Sequence, residues 1–346
     1  MALLFWDGLD SYNILGDFTS SKPMVNPAFA GGFGGYSPNF HTSGGRYNGC
    51  RISQSAYSVW GKVTLTTSNE LYTGRAVYST GNGLLLCFWG TTGSTTPECY
   101  VDVSAGVVRA YNSSGTLLGQ SSVDYPFLYN VWNWIEARAI ISTNNSTADG
   151  TIEVWLNNRK VIRNTACITK YFNASTGFGG VNSQITGGST DDMYVTDTTG
   201  PAPLNGRLGD CRIMNLPVIS DASPNDGTVA NGSAHYLWVN DSVGWNNNVI
   251  TMTTSGQKEL FDVDNLPTNA NQIYALSVLS ISKKSDAGTA NVKNIIVANN
   301  ASYNATPYQL LTSFSWNRTE YLTNPNTGSQ WTYSQVSDMK IGVEVE

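Results

Sequence analysis

Six residues set two apart on either side of a polar tip are the first candidates for chemistry. In Trp132 to Asn158, WNWIEARAIISTNNSTADGTIEVWLNN, every second residue gives Trp134, Glu136 and Arg138 before the tip and Glu153, Trp155 and Asn157 after it. In paired strands this alternation places all six on one face of a hairpin. Trp rings beside a carboxylate, a guanidinium and an amide can stack a sugar whose hydroxyls the polar groups take. They can equally form the centre of a protein interface, where Trp and Arg are enriched. A third reading needs no ligand, because loops of the same chain can cover such a face. Self-coverage ranks first, subunit contact second and glycan third. Glycoside hydrolysis would need two carboxylates across the scissile bond, and Glu136 and Glu153 approach each other across the hairpin. Arg138 lies between them, so a ladder of charges is the simpler reading. No catalytic residue is assigned.

Asp191, Asp192 and Asp197 are weak candidates for a metal, since calcium takes hard oxygen ligands. Adjacent aspartates in a strand point to opposite faces, so no metal is assigned, and hydrogen bonds to a neighbouring turn are their plainer role. His41 and His235 have no cysteine or second histidine near them in sequence, and neither reads as a ligand or a base. Cys50, Cys87, Cys99, Cys167 and Cys211 are odd in number and lack any C-x-x-C spacing, which argues for reduced, mostly buried thiols. The stretch GGFGGYSPNFHTSGGRYNG, residues 31–49, is glycine-rich but precedes no helix. It therefore reads as a flexible loop and not as a phosphate cradle.

The elements that must position these residues are strands. Charged residues make up 13% of the 346-residue chain, against roughly 25% in an average soluble protein. Ser, Thr, Asn and Gly fill the space between aromatic and β-branched runs, the composition of an all-β protein with many turns. Behind the candidate face, Ile135, Ala137, Ala139 and Ile141, matched by Ile152, Val154 and Leu156, form the core side of the hairpin. SVWGKVTL, GLLLCFWG, CYVDVSAGVVRAYNSSGTLLGQ and DDMYVTD read as further short strands. Their spacing predicts a jelly-roll sandwich over residues 1–215. NLPVISDASPNDGTVANGSAHYLWVND, with its prolines and turn residues, reads as the junction. Strands resume in QIYALSVLSISKK, VKNIIVANN and LLTSFSWNRTEYL, a second, smaller β-sandwich domain over 216–346.

Several partners are excluded on charge and hydropathy. The net charge is -6 with Lys and Arg scattered, so no basic stripe exists for nucleic acid. No apolar stretch is long enough to span a bilayer. The start, MALLFWDGLDSYN, has no basic region, and Asp7 and Asp10 interrupt its apolar run. The expectation is that no signal peptide is present and that synthesis is cytoplasmic.

LLFWDGLDSYN, then WNWIEARAIIS with GTIEVWLNNRKVI, then GGSTDDMYVTDTTG followed by LGDCRI resemble, in that order, the concanavalin-A-like (laminin-G-like) sandwich domains of tailed-bacteriophage structural proteins. SGQKELFDVDNLP, SKKSDAGTANVKNIIV and NPNTGSQWTYSQVSDMKIGVEVE are similar to the C-terminal β module that accompanies them. Together these stretches cover most of the chain. The resemblance implies a virion component, either a capsid decoration (cement) protein or a tail-associated part. With no coiled-coil heptads and no β-helical repeat to make a fibre shaft, the capsid is favoured. The implied partners are the major capsid protein and copies of the chain itself in a homo-oligomer. The alternative is a lectin-like adhesin on tail or capsid surface that holds host glycan. Glucanases related to this fold carry Glu-x-Asp-x-x-Glu on one strand. No such string occurs here, and the expectation is a non-enzymatic protein without a cofactor.

Overall fold

The computed structural model describes residues 3–8, 39–41, 43–48, 51–53, 63–91, 96–182, 188–230, 234–239, 249–268, 270–299 and 301–346. Cys50, Asp10, residues 31–38 of the glycine-rich stretch and the side chain of His41 lie outside the described residues. The chain divides into two compact units, one ending at Met214 and the other running from Asn215 to Glu346.

The first unit is built of short strands. They are β1 Leu3–Asp7, β2 Asn39–His41, β3 Arg51–Ser53, β4 Val63–Ser68, β5 Glu70–Ser79, β6 Gly83–Gly90 and β7 Cys99–Ser104. There follow β8 Val107–Asn112, β9 Leu117–Gln120, β10 Trp132–Ile140, β11 Gly150–Leu156, β12 Arg159–Cys167, β13 Phe178–Asn182 and β14 Gly188–Thr196. They form two antiparallel sheets, ordered β12-β11-β10-β5-β14-β3-β2 with β1 beside β14, and β4-β13-β6-β7-β8-β9. β10 lies against β6, and β5 against β13. This is a jelly-roll sandwich.

Turn chemistry sets the hairpins. Ala105 and Gly106 between β7 and β8, and Asn157 and Asn158 between β11 and β12, all have positive φ. Two successive left-handed residues give the turn whose twist matches the flanking strands. Between the sheets, Ile135, Ala137 and Ala139 of β10 and Ile152, Val154 and Leu156 of β11 are buried, and the register sets Ile135 opposite Leu156 and Ala137 opposite Val154. Ile141, just past β10, is half-buried. The facing sheet supplies Phe88, Val101, Val103 and Phe178, with the Phe88 and Phe178 rings 5.5 Å apart. One cation shares this core: Arg75 of β5, opposite Ile135, is buried, and burial pulls its pKa down to about 10.

The second unit contains β15 Val218–Asn225, β16 Lys258–Val263, β17 Leu276–Ser282, β18 Asn291–Ala298, β19 Ala301–Asn304, β20 Tyr308–Gln309, β21 Ser315–Tyr321, α1 Tyr333–Ser337 and β22 Lys340–Val345. The order β15-β16-β22-β18-β19, with β20 on β18, makes the larger sheet, and β17 pairs with β21. β17 and β21 both lie against β18. Val278, Ile296, Tyr321, Trp331, Val336 and Met339 fill the space between. The Asn294 side chain, fully buried, donates to the Val278 carbonyl at 3.1 Å and to Thr319 Oγ1 at 3.1 Å, and accepts from Ser280 Oγ at 2.7 Å. One amide thereby ties the two layers together. β15 corrects the reading of residues 215–241 as junction: VISDASPN pairs with β16. Its polar character and Pro224 hid it, and both suit the edge position it occupies, where a missing N–H costs no ladder bond. Among the described residues no helix is long and apolar enough to cross a membrane.

Candidate functional site

β10 is an inner strand of its sheet, between β5 and β11, so its outer face needs a cover of its own. Trp134 and Glu136 are each 1% exposed and Trp155 is 8% exposed. Room for them begins with Gly74 on β5, which sits opposite both Glu136 and Tyr194. A Cβ there would lie 2.3 Å from Tyr194 Cε1 and 3.0 Å from Glu136 Cγ. Only a glycine lets the carboxylate and the phenol meet over this strand.

The cover is the segment Arg207–Ile213, which follows β14 and is not a strand. Arg207 Nη2 reaches Glu136 Oε2 at 2.6 Å and Asn158 Oδ1 at 2.6 Å. The Leu208 amide donates to Tyr194 Oη at 3.0 Å and the Gly209 amide to Glu136 Oε1 at 2.8 Å. Tyr194 donates its hydroxyl to the same Oε1. Burial first, and the Glu136 charge second, raise the Tyr194 pKa well above the ordinary phenol value, so the phenol keeps the proton it donates. The Asp210 amide donates to Asn158 Oδ1 at 3.1 Å, and the Ile213 amide to Asp192 Oδ1 at 2.7 Å. Glu136 is thus the anchor of a strap across the sheet.

Arg46 joins the strap from the far side of the chain. Its Nη2 forms an ion pair with Asp210 at 2.6 Å, its Nη1 donates to the Cys211 carbonyl at 3.2 Å, and its backbone amide donates to Asp191 Oδ2 at 2.9 Å. Its guanidinium lies 5.3 Å from the Trp134 ring, close enough for cation–π attraction. Trp134 also stacks on Tyr194, ring centres 6.2 Å apart. Lys160 Nζ and the Arg207 guanidinium stand 4.8 Å and 5.2 Å from the Trp155 ring.

The remaining candidates form the predicted ladder. Arg138, half-buried, sits opposite Glu153, its Nη1 3.0 Å from Glu153 Oε2 and its Nε 2.6 Å from Glu70 Oε1. Lys160 Nζ lies 2.5 Å from Glu153 Oε1. Burial works to raise the Glu153 pKa, but hydrogen bonds from Lys160 and Arg138 outweigh it and leave the carboxyl below its usual value. Asn157 is exposed and serves the turn: Oδ1 accepts from the Trp134 amide at 2.8 Å and Nδ2 donates to Asn133 Oδ1 at 3.2 Å. Glu136 and Glu153 do not share a cleft; the first faces Trp155 across the register and the second Arg138.

Asp191 and Asp192 do not alternate as strand residues. The register of β14 against β5 shifts between Asp191 and Tyr194, and Asp192 has φ +50, the mark of a bulge. The Asp192 amide donates to Asp191 Oδ1 at 2.8 Å. Asp197 Oδ1 caps a turn, accepting from the Thr199 amide at 2.9 Å. Among the described residues no three His, Cys, Asp or Glu side chains converge as a metal site. Sequence reading missed Arg46 and Arg207, whose roles depend on contacts more than seventy positions away in the chain for the first and on an irregular segment for the second. His235, which has no cysteine or second histidine near it in sequence, places its Nδ1 2.9 Å from Oε2 of the buried Glu259.

No protein-family model matches the chain, and no curated protein matches it. Among solved structures it is similar to an endo-β-1,4-glucuronan lyase from Trichoderma reesei, at 10% identity and TM-score 0.32, over 46% of this chain and 87% of that one. It is similar to a sialidase carbohydrate-binding module from Ruminococcus gnavus bound to α2,3-sialyllactose, at 14% identity and TM-score 0.29, over 42% and 88%. A domain of an extracellular arabinanase from Geobacillus stearothermophilus, in complex with arabinotriose, gives 11% identity and TM-score 0.33, over 47% and 76%. No residue role is carried over from them.

Proposed function

We propose that the chain is a non-enzymatic structural protein of a tailed-phage particle, decorating the capsid surface as an oligomer and acting through protein contact. The observation that carries the contact is the segment between β9 and β10. Val123, Tyr125, Leu128 and Val131 are exposed there, Val123 at 76% and Leu128 at 53%. Single exposed apolar residues need no explanation, and it is four of them within one short segment that supports a contact surface here. The segment is held from within. Phe127 is buried and its amide donates to the Gly106 carbonyl at 2.8 Å. Tyr129 Oη donates to Asn82 Oδ1 at 2.8 Å, and Asn133 Nδ2 to the Leu128 carbonyl at 2.7 Å. A surface ordered in advance loses little entropy when a partner covers it.

The engagement of Glu136 by the strap and of Glu153 by Arg138 and Lys160 supports a structural use of these carboxylates. The virion setting rests on the order of resembling stretches along the chain. A decorating protein bridges neighbouring capsomers, and each standard contact, about 1,600 Å² of surface in all, must offset the entropy of association. The experiment is quantitative mass spectrometry of purified particles of a phage that encodes the chain. A copy number comparable with that of the major capsid protein is expected. Absence from the particle would end the reading, and a few copies would move it to the tail.

A further inference from the structure

The β8–β9 hairpin of the first unit carries different features at its two ends. At the start of β8 lies the segment 123–131, tied there by the Phe127 amide on the Gly106 carbonyl at 2.8 Å. At the far end, around the β8–β9 turn, the chain forms an open cleft of about 430 Å³. One wall holds Asn112 and Leu117, and the other is the end of β12 and the loop after it, with Asn164, Ala166 and Tyr171; Asn145 and Ala148 stand at the rim. β8 runs six residues, Val107–Asn112, which at about 3.4 Å per residue puts roughly 20 Å between the two features. A copy of the chain therefore cannot seat its own segment in its own cleft.

The polar groups of the cleft are engaged by the chain itself. Asn164 Nδ2 donates to the Leu118 carbonyl at 2.8 Å, and its Oδ1 accepts from the Ala166 amide at 3.1 Å. Asn112 Oδ1 accepts from the Thr116 amide at 2.9 Å, and Asn145 Nδ2 donates to the Tyr171 carbonyl at 3.4 Å. The Ser114 and Thr116 hydroxyls meet each other at 3.1 Å. The remaining side chains turned outward are apolar or aromatic: Leu117, Ala148, Ala166 and Tyr171 are all exposed. The wall that carries Tyr171 is fixed in place by the fully buried Glu98, whose Oε2 accepts from the Tyr171 and Phe172 amides.

A cleft of this kind gains most from an apolar occupant, which removes its exposed side chains from water and asks for no new hydrogen bonds. The segment 123–131 has that chemistry, with Val123, Leu128 and Val131 exposed. It is also held in shape, since the Arg159 guanidinium stands 3.1 Å from the centre of the Tyr125 ring. The charges agree in sign. Asp124 is the one charged residue within the segment, and Lys170 is the one charged residue of the cleft lining. Lys170 Nζ donates to the Thr143 carbonyl at 3.1 Å, and an ammonium has further N–H donors to offer a carboxylate. An apolar patch that fits a pocket elsewhere on the same molecule joins one copy to the next. We propose that the segment 123–131 of one copy seats in the cleft at the β8–β9 turn of another. The inference rests on the proposed oligomer and names the surface that receives the segment.

Two variants of the full chain separate the halves of the contact. Leu128→Asp spoils the segment and leaves the cleft, whereas Ala166→Trp, at an exposed lining position, fills the cleft and leaves the segment. By sedimentation velocity each variant alone should be monomeric. An equimolar mixture should give a heterodimer, because the intact segment of the second fits the intact cleft of the first. The mixed pair should associate at least about tenfold more tightly than either variant with itself, the scale of one buried leucine. Unchanged thermal unfolding shows that both variants fold, and Leu117→Asp, also at an exposed position, takes the place of Ala166→Trp should that variant unfold. An oligomer that survives both Ala166→Trp and Leu117→Asp overturns the inference while the assembly reading stands, since the segment then meets some other surface. A mixture that stays monomeric overturns it as well. A natural chain that is monomeric at every concentration overturns both this inference and the assembly reading.

Discussion

Glu153 takes hydrogen bonds from Arg138 and Lys160 while nearly enclosed, and its carboxyl is held below the usual range. A depressed folded-state pKa contributes stability that is fully present above the unfolded value, near 4.3, and is lost as pH falls through the folded value. Glu153→Gln should therefore lower stability at neutral pH and flatten the acid limb below about pH 4.3, measured by urea denaturation across pH. The thiols give a second prediction. Cys87, Cys99 and Cys167 are free and buried, and burial pushes Cys87 up to about 12, Cys167 up to about 11 and Cys99 well above its ordinary value. The thiolate is the reactive form, so at pH 8 these three should label with a thiol reagent only after denaturation, read residue by residue by mass spectrometry. Rapid labelling of Cys87 in the folded protein would contradict its place in the core.

At the scale of elements, β10 and β11 show what was legible and what was not. The alternation of Ile135, Ala137 and Ala139 with Trp134, Glu136 and Arg138 sets the register, and the Asn157–Asn158 pair sets the turn. Both are local properties of the chain. The strap is not: Arg207–Ile213 has no periodicity, and its contact with Arg46 joins residues 164 positions apart. The bulge at Asp192 needs a left-handed residue inside a strand, which no pattern of side chains announces. Leu156→Ala should cost about 2 to 5 kcal/mol, from lost transfer energy and the cavity left behind. Gly74→Ala tests the strap from beneath. A Cβ at 2.3 Å from Tyr194 must push the ring off Glu136, so Gly74→Ala should destabilise by at least 1 to 3 kcal/mol, the usual scale of overpacking. Chemical denaturation measures both, and a neutral Gly74→Ala would show that the strap is not seated on this strand pair.

For the whole molecule, the aromatic face is spent on the chain's own fold, and in the proposed function contact with partners falls to the segment 123–131, with its exposed Val123, Tyr125, Leu128 and Val131. Composition made the all-β class legible, since few charges and many turn residues allow little else, whereas the surface left exposed depends on which loops cover which faces. The most direct test is sedimentation equilibrium of the purified chain beside Leu128→Asp. Leu128 is exposed, so the change should alter folding stability by no more than about 0.5 kcal/mol. The expected result is a discrete homo-oligomer for the natural sequence and a monomer with unchanged unfolding for Leu128→Asp. A natural chain that stays monomeric at every concentration, or an oligomer that Leu128→Asp leaves intact, would contradict it.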